Sequence, residues 1–172
     1  MTLNRLLVPV VFLLLCGCGA HKGLPDRHTT AILSGATKVE VFRIDGLMDP
    51  PNAKPIKPGD PTVGGYAILA RGKDQSSEFA TKLADVLADD KTYADAYAKC
   101  FWPGVAFRVW KGEESVDVLI CFICENIYIG PSTDKQVMEN ASFVGSPNRK
   151  RLVRLAKEAF PDDKEVQALN DE

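Results

Sequence analysis

The stretch from Lys99 to Ile129 constrains the fold most, because it holds two alternating apolar runs on either side of a short polar turn. Side chains alternate between the two faces of a strand, so each run presents one apolar face. The two faces coincide when Val109 lies opposite Val116, a register that leaves Gly112 and Glu113 as the turn. A two-residue loop with glycine first is typical of a type II′ turn. The stretch is therefore predicted to form an antiparallel hairpin.

The remaining elements follow the order strand, strand, helix before the hairpin and a helix after it. Alternation predicts strands at 38–44 and 66–71, and apolar residues three and four apart predict a helix over 76–88. A second helix is predicted to begin at Ser146 and Pro147, a capping serine followed by a proline in the first turn. This order favours an α+β fold, an antiparallel sheet of four to five strands with two main helices packed on one face.

Residues 45–65 are predicted to form a long surface loop. Five prolines and several glycines fall there, and they remove amide donors and disfavour both helix and sheet. Unstructured loops of this length are uncommon in compact domains and are often functional. The loop is therefore one candidate contact surface, and the alternative is a rigid excursion without a binding role.

The first residues have the order of a secretory signal. Arg5 precedes an apolar run of 10 residues, which is too short for a membrane-spanning helix of about 20 residues. The tetrad Leu15-Cys16-Gly17-Cys18 then resembles the lipobox of bacterial lipoprotein signals. The resemblance implies that Cys18 carries the lipid, since a small residue precedes it, whereas Cys16 follows the bulky Leu15 and fits less well.

The lipobox resemblance implies a domain organisation and a location. Residues 1–17 are then the signal peptide, residues 18–36 the lipidated cysteine and a flexible tether, and residues 37–172 a single α+β domain. Several acyl chains on one cysteine hold a protein firmly, because one chain alone holds it only marginally. The domain would lie in the cell envelope, at the outer membrane of a diderm cell, since Gly19 rather than aspartate follows the cysteine. The alternative is an ordinary signal peptide cut near Ala20.

Three cysteines follow the leader, Cys100, Cys121 and Cys124, and an oxidising envelope favours a disulfide among them. If the strand continues through residues 121–129, Cys121 and Cys124 point to opposite faces and are too far apart to bridge. The hairpin register then puts Cys124 beside Cys100, which predicts a Cys100–Cys124 disulfide and a free Cys121. The alternative is that all three are reduced and packed as small apolar residues.

The absence of histidine from residues 37–172 limits the chemistry of the predicted domain, because His21 and His28 both lie in the predicted tether. Neither a Ser-His-Asp triad nor a Cys-His pair can be built without it, nor can a histidine-ligated metal site. No glycine-rich phosphate loop follows a predicted strand, and a formal net charge of −2 predicts no nucleic-acid partner. The domain is therefore expected to be non-catalytic and to bind no cofactor or metal.

Cations crowd the start of the predicted helix at residue 147, where the helix dipole favours anions instead. These cations are Arg149, Lys150, Arg151 and Arg154. They are candidate contacts for an anion, such as the phosphate of a lipid head group or an acidic partner. The alternative is a solvated basic face.

The hairpin also resembles small exported bacterial proteins that carry a CFxP…CFxC pattern and have no assigned activity, so this resemblance implies no function. The residues that carry it are Cys100, Phe101, Pro103, Cys121, Phe122 and Cys124. The leading hypothesis is a lipid-anchored envelope protein that binds or scaffolds an envelope partner. The alternative is a thiol redox or metal-handling protein that uses the three cysteines.

Overall fold

The computed structural model describes residues 26–46, 56–94, 99–132 and 139–171. The predicted signal peptide, Cys18 and the first part of the predicted tether lie outside the described residues, as do residues 47–55 of the proline-rich segment. Among the described residues, no helix has both the length and the apolar character needed to cross a bilayer.

The fold is α+β and contains a curled antiparallel sheet of seven strands within the described residues. In spatial order the sheet runs β2-β3-β1-β4-β5-β6-β7. The strands are β1 (Lys38–Ile44), β2 (Thr62–Val63), β3 (Tyr66–Arg71), β4 (Val105–Lys111), β5 (Glu114–Cys121), β6 (Asn126–Pro131) and β7 (Glu139–Ser142). The prediction of four to five strands was too low, because it missed the short β2 and joined β5 to β6.

The described helices are α1 (Arg27–Ser34), α2 (Ser77–Ala88), α3 (Arg149–Ala159) and α4 (Lys164–Gln167). Their apolar sides pack on one face of the sheet and form the main core with alternate residues of β1, β4, β5 and β6. The predicted one-sided packing is therefore confirmed. The prediction of two main helices was incomplete, because α1 also buries apolar residues in this core. The sequence also predicts a short last helix from Asp162 and Glu165 that buries Val166, and α4 confirms it, with Asp163 as its cap.

Helix α1 corrects the prediction of a flexible tether through residue 36. Asp26 caps it by accepting a hydrogen bond from the Thr29 amide at 2.6 Å, and Ile32 and Leu33 are buried. A helix of 8 residues is marginal by propensity alone and depends on tertiary packing. Residues 18–36 are mostly polar, so the short apolar side formed by Ile32 and Leu33 was not recognised in the sequence.

The hairpin of β4 and β5 has the predicted register, with Val109 opposite Val116. Gly112 has φ +61°, in the left-handed region that a type II′ turn requires at its first central position. Helix α2 begins after Ser76, whose hydroxyl accepts a hydrogen bond from the Phe79 amide. Helix α3 begins at Arg149, directly after Asn148. The predicted start, with Pro147 as the first helical residue, was two residues too early.

The prediction of one strand through residues 121–129 was wrong. β5 ends at Cys121, β6 begins at Asn126, and the four residues between them form a tight turn. Glu125 closes the turn with φ +52°, and its carbonyl accepts a hydrogen bond from the Phe143 amide at 2.7 Å. The turn folds Cys124 back toward the end of β5.

The other face of the sheet carries a smaller apolar cluster beside a buried ion pair. Asp117 is 0% exposed and accepts hydrogen bonds from Arg108 Nε at 2.7 Å and Nη2 at 2.9 Å. It also accepts from the Gly64 amide at 3.1 Å and the Ser132 hydroxyl at 2.8 Å. One carboxylate therefore joins β4, β5, the turn after β2 and the end of β6.

Candidate functional site

A groove of about 370 Å³ opens at the end of the sheet where β1 ends and β4 begins. We call it the end groove. Three large apolar side chains that line it remain exposed to solvent, Leu69 at 53%, Trp102 at 52% and Ile123 at 81%. Its volume lies in the range of ligand-binding pockets. Exposed apolar side chains gathered in a concavity are typical of interaction sites.

One edge of the end groove is polar. The Arg43 guanidinium pairs with Asp163 at 2.9 Å and Glu165 at 2.7 Å, and it donates to the Gly104 carbonyl at 2.9 Å. These contacts fix the start of α4 against the chain that leads into β4. The Glu165 side chain is 84% exposed, and Asp45 also lines the groove. The end groove thus combines apolar walls with an acidic rim, Asp45 and Glu165.

Two chain segments meet beside the end groove, residues 100–104 and the turn at 122–125. The Asn126 side-chain amide donates to the Cys100 carbonyl at 3.0 Å. Phe101 stacks on Tyr128 with ring centroids 3.8 Å apart. The first segment supplies Trp102 and Pro103 to the groove, and the second supplies Phe122 and Ile123.

The three described cysteines come together where these two segments meet. The Cys124 amide donates to Cys121 Sγ at 3.0 Å. The Cys124 thiol also interacts with the thiols of Cys100 and Cys121 and with the backbone of Trp102, and these contacts affect its pKa. The Cys100 and Cys124 thiols interact, although the continuous strand from which their proximity was predicted is absent. The prediction that Cys121 and Cys124 point apart was wrong, because it assumed a continuous strand instead of a turn.

All three described cysteines are free thiols, and their sulfurs are not at disulfide distance. The predicted Cys100–Cys124 disulfide is therefore not formed in this structure. Cys121 and Cys124 are buried, whereas Cys100 is partly exposed. Cys100 is thus the thiol of the cluster that an external reagent reaches first.

The surroundings of these thiols raise two of their pKa values. The hydrogen bond with Cys124, followed by burial, raises the pKa of the Cys100 thiol. Burial is the main cause that raises the pKa of the Cys124 thiol. The thiolate is the nucleophilic form of cysteine. Both thiols are therefore protonated and weakly reactive at neutral pH.

We expect the substitution Cys124→Ala to lower the pKa of the Cys100 thiol, because it removes the hydrogen bond that raises this pKa most. Alkylation of Cys100 by iodoacetamide near pH 7 should become several-fold faster, since a fall of one pKa unit gives about ten times more thiolate. Mass spectrometry of the tryptic peptide 100–108 measures the rate. Cys121→Ala is the control, because it leaves the Cys100–Cys124 contact in place. Equal rates in the two variants would show that this hydrogen bond does not set the pKa.

The structure does not gather the predicted anion contacts, Arg149, Lys150, Arg151 and Arg154, into one site. Arg149 is held by Glu125, with Nε 2.6 Å from Oε1. Arg151 and Arg154 line a separate shallow groove. Glu158 shares that groove and lies 3.5 Å from Lys82. Lys82 also lines that groove, so three cations there accompany one carboxylate.

The end groove was missed by sequence reasoning because its walls come from segments far apart in the chain. The available signals were two large apolar residues outside regular strands, Trp102 before β4 and Ile123 in the turn. In the part of the chain that the structure describes, no group of three or more histidine, cysteine, aspartate or glutamate side chains is arranged to hold a metal ion. Comparison of the chain with protein-family models, curated proteins and solved structures gives no match.

Proposed function

We propose that this chain is a lipid-anchored protein of the cell envelope that acts by binding a protein partner rather than by catalysis. The observation that carries the binding role is the end groove, with Leu69, Trp102 and Ile123 left in contact with water. Covering apolar surface is favourable by about 25 cal/mol per Å². An apolar segment of a partner that fills the groove would therefore bind with a free energy that grows with the area covered.

The position of the end groove suits a partner in the envelope. Helix α1, where the described chain begins, packs at the turn of the β4–β5 hairpin, and Lys111 Nζ donates to the Ala31 carbonyl at 3.2 Å. The end groove lies before Val105, at the other end of β4. A strand of this length spans about 20 Å. In a domain anchored through its N-terminus, the end groove therefore lies at the end of β4 that is opposite α1.

The charge at the end groove indicates the chemistry of the partner. Its exposed walls are apolar, and its rim carries the carboxylates of Asp45 and Glu165. Arg43 pairs with both Asp163 and Glu165, so this group of one cation and two carboxylates keeps a net negative charge. An apolar peptide segment flanked by lysine or arginine complements this surface, because cations next to the acidic rim favour association and orientation.

The lipid anchor rests on the lipobox resemblance at residues 15–18. We expect Cys18→Ala to move the protein from the detergent phase to the aqueous phase in a Triton X-114 partition. Cys16→Ala is the matched control and should stay in the detergent phase. Mass spectrometry of the N-terminal peptide should show an acylated cysteine at residue 18. Partition of Cys18→Ala with the detergent phase would contradict the anchor.

The groove is tested with the uncharged apolar dye Nile red as the probe. We expect Ile123→Asp to reduce dye fluorescence several-fold, because a carboxylate then lies in the apolar wall. Val144→Asp is the control, since Val144 is an exposed apolar residue that does not line the end groove. Both substitutions are on the surface and should change stability by less than about 0.5 kcal/mol. Equal dye binding by the two variants would contradict the groove as a binding surface.

Thiol redox catalysis is a second candidate function, favoured by the convergence of three thiols on Cys124. The raised pKa values of Cys100 and Cys124 count against it, since catalytic thiols depend on an accessible thiolate. The reduction of insulin disulfides by dithiothreitol distinguishes the two functions. Acceleration by the purified chain that is lost in Cys100→Ser would replace the binding proposal with the redox one.

A further inference from the structure

We propose that Cys100 and Cys124 form a reversible dithiol–disulfide pair that sets the spacing between the two walls of the end groove. The effect on binding rests on the proposed function, whereas formation of the bond does not. Each cysteine lies in one of the two segments that supply a wall. Cys100 is two residues before Trp102, and Cys124 directly follows Ile123.

The contacts of Cys124 connect both walls to its sulfur. The Cys124 thiol interacts with the Cys100 thiol and with the backbone of Trp102, and the Cys124 amide donates to Sγ of Cys121, which is paired with Asn126. The Asn126 side-chain amide donates a hydrogen bond to the Cys100 carbonyl at 3.0 Å. The two thiols are therefore neighbours across the junction of the segments before any oxidant arrives.

Access determines the order of the chemical steps. Cys100 is partly exposed, so the small fraction of it that is thiolate attacks one sulfur of a small disulfide such as oxidised glutathione, slowly at neutral pH because the pKa of this thiol is raised. The glutathione S–S bond breaks, one glutathione thiolate leaves, and a mixed disulfide forms at Cys100. The Cys124 thiolate then attacks the Cys100 sulfur and releases the second glutathione. Two protein thiols and one oxidised glutathione thus give one protein disulfide and two reduced glutathiones.

Cys121 is the less favourable partner in this exchange. It is fully buried at the end of β5, in register with Asn126, and its sulfur already accepts the Cys124 amide. An incoming disulfide cannot reach it before the turn opens. Residues 100–104 have no regular secondary structure, so this segment can move toward Cys124 without breaking a strand.

Closing the bond requires movement, because a disulfide joins its sulfurs at about 2 Å and these sulfurs are not at that distance. Phe101 is stacked on Tyr128 on the other face of the sheet. If Cys100 moves toward Cys124 while the Phe101 ring stays in place, the backbone next to residue 101 shifts. Trp102 therefore shifts with it. The spacing between Trp102 and Ile123 changes as a result.

The test equilibrates the folded chain with mixtures of oxidised and reduced glutathione, blocks free thiols with N-ethylmaleimide in denaturant, and maps the peptides. Chymotrypsin cuts after Phe122 and so separates Cys121 from Cys124. We expect a Cys100–Cys124 linked peptide with Cys121 blocked, retained in Cys121→Ala and absent in Cys100→Ser. A Cys121–Cys124 bond, glutathione left on Cys100, or three free thiols would each overturn the pair.

The coupling to the groove is measured by tryptophan emission of the oxidised and reduced forms. We expect a shift of the emission maximum that disappears in Trp102→Phe, since Trp110 lies at the other end of β4. A bond without this shift would overturn the coupling and leave the binding proposal intact. A bond with the shift, but dye binding unaffected by Ile123→Asp, would keep the pair and reject the groove as a binding surface.

Discussion

Replacement of Asp117 by alanine is expected to lower the free energy of unfolding by about 3 kcal/mol, the largest effect of a single substitution that we propose. The carboxylate is 0% exposed and accepts two hydrogen bonds from Arg108. Its loss leaves a guanidinium that is only 20% exposed without its partner. The Gly64 amide and the Ser132 hydroxyl lose their acceptor as well.

Urea unfolding followed by circular dichroism measures this loss. Asp85→Ala is the control, because Asp85 is an exposed carboxylate on α2 and its replacement should change stability by about 0.5 kcal/mol or less. Unfolding of the two alanine variants at the same urea concentration would contradict the stabilising role of Asp117. The buried pair of Arg108 and Asp117 would then contribute nothing measurable to stability.

Replacement of Gly46 by alanine should have the second largest effect, because it distorts the end groove. A Cβ at this position would lie 2.4 Å from the Pro103 carbonyl oxygen and 2.6 Å from the Trp102 carbonyl carbon. The end of a flexible side chain could rotate away from this Cβ, but backbone atoms cannot. The backbone of residues 102–103 must therefore be displaced as a whole. We expect a loss of about 1–3 kcal/mol of stability and reduced binding of Nile red.

Gly104→Ala is the matched control for Gly46→Ala, since both glycines line the end groove. A Cβ at Gly104 would meet only the Arg43 Nη1 at 3.2 Å. A guanidinium at the end of a long side chain can adjust by a few tenths of an ångström. Thermal unfolding and dye binding of Gly104→Ala should therefore stay close to the original values. Equal losses in both variants would show that the close approach of Gly46 to residues 102–103 is not what shapes the groove.

The hairpin could be predicted because two independent signals agreed. The apolar alternation of β4 and β5 fixed the register, and Gly112 stood where a type II′ turn needs it. The stripe of α2 was equally clear, since its five apolar residues at steps of three and four are all buried. Local patterns of this kind depend only on residues close together in the chain.

The turn between β5 and β6 was missed although the sequence contained a signal for it. The apolar residues that face the main core are even-numbered from Val116 to Ile120 and odd-numbered from Ile127 onward. A continuous strand cannot change the face of its residues in this way. Phe122 and Cys124 extended the even-numbered pattern and concealed the change. The error also separated Cys121 from Cys124, so the convergence of the thiols was not predicted.

The end groove could not be predicted from the sequence, because it depends on tertiary packing. Leu69 reaches it from β3, Trp102 from the segment before β4, and Leu169 from beyond α4. Among these three residues only Trp102, a large apolar residue outside a regular strand, gave a local signal, whereas Leu69 and Leu169 do not differ locally from ordinary core residues. Only the curled sheet and the Arg43 contacts with Asp163 and Glu165 bring them to one concave surface.

The most direct test of the binding proposal is site-specific photo-crosslinking in the cells that encode this chain, with a benzophenone amino acid at residue 123 and, as control, at residue 144. We expect a discrete protein adduct at residue 123 in the membrane fraction, no such adduct at residue 144, and loss of the adduct when Trp102→Asp is added. An adduct of the same size from both positions, or one at residue 123 that survives Trp102→Asp, would contradict the end groove as the site of binding.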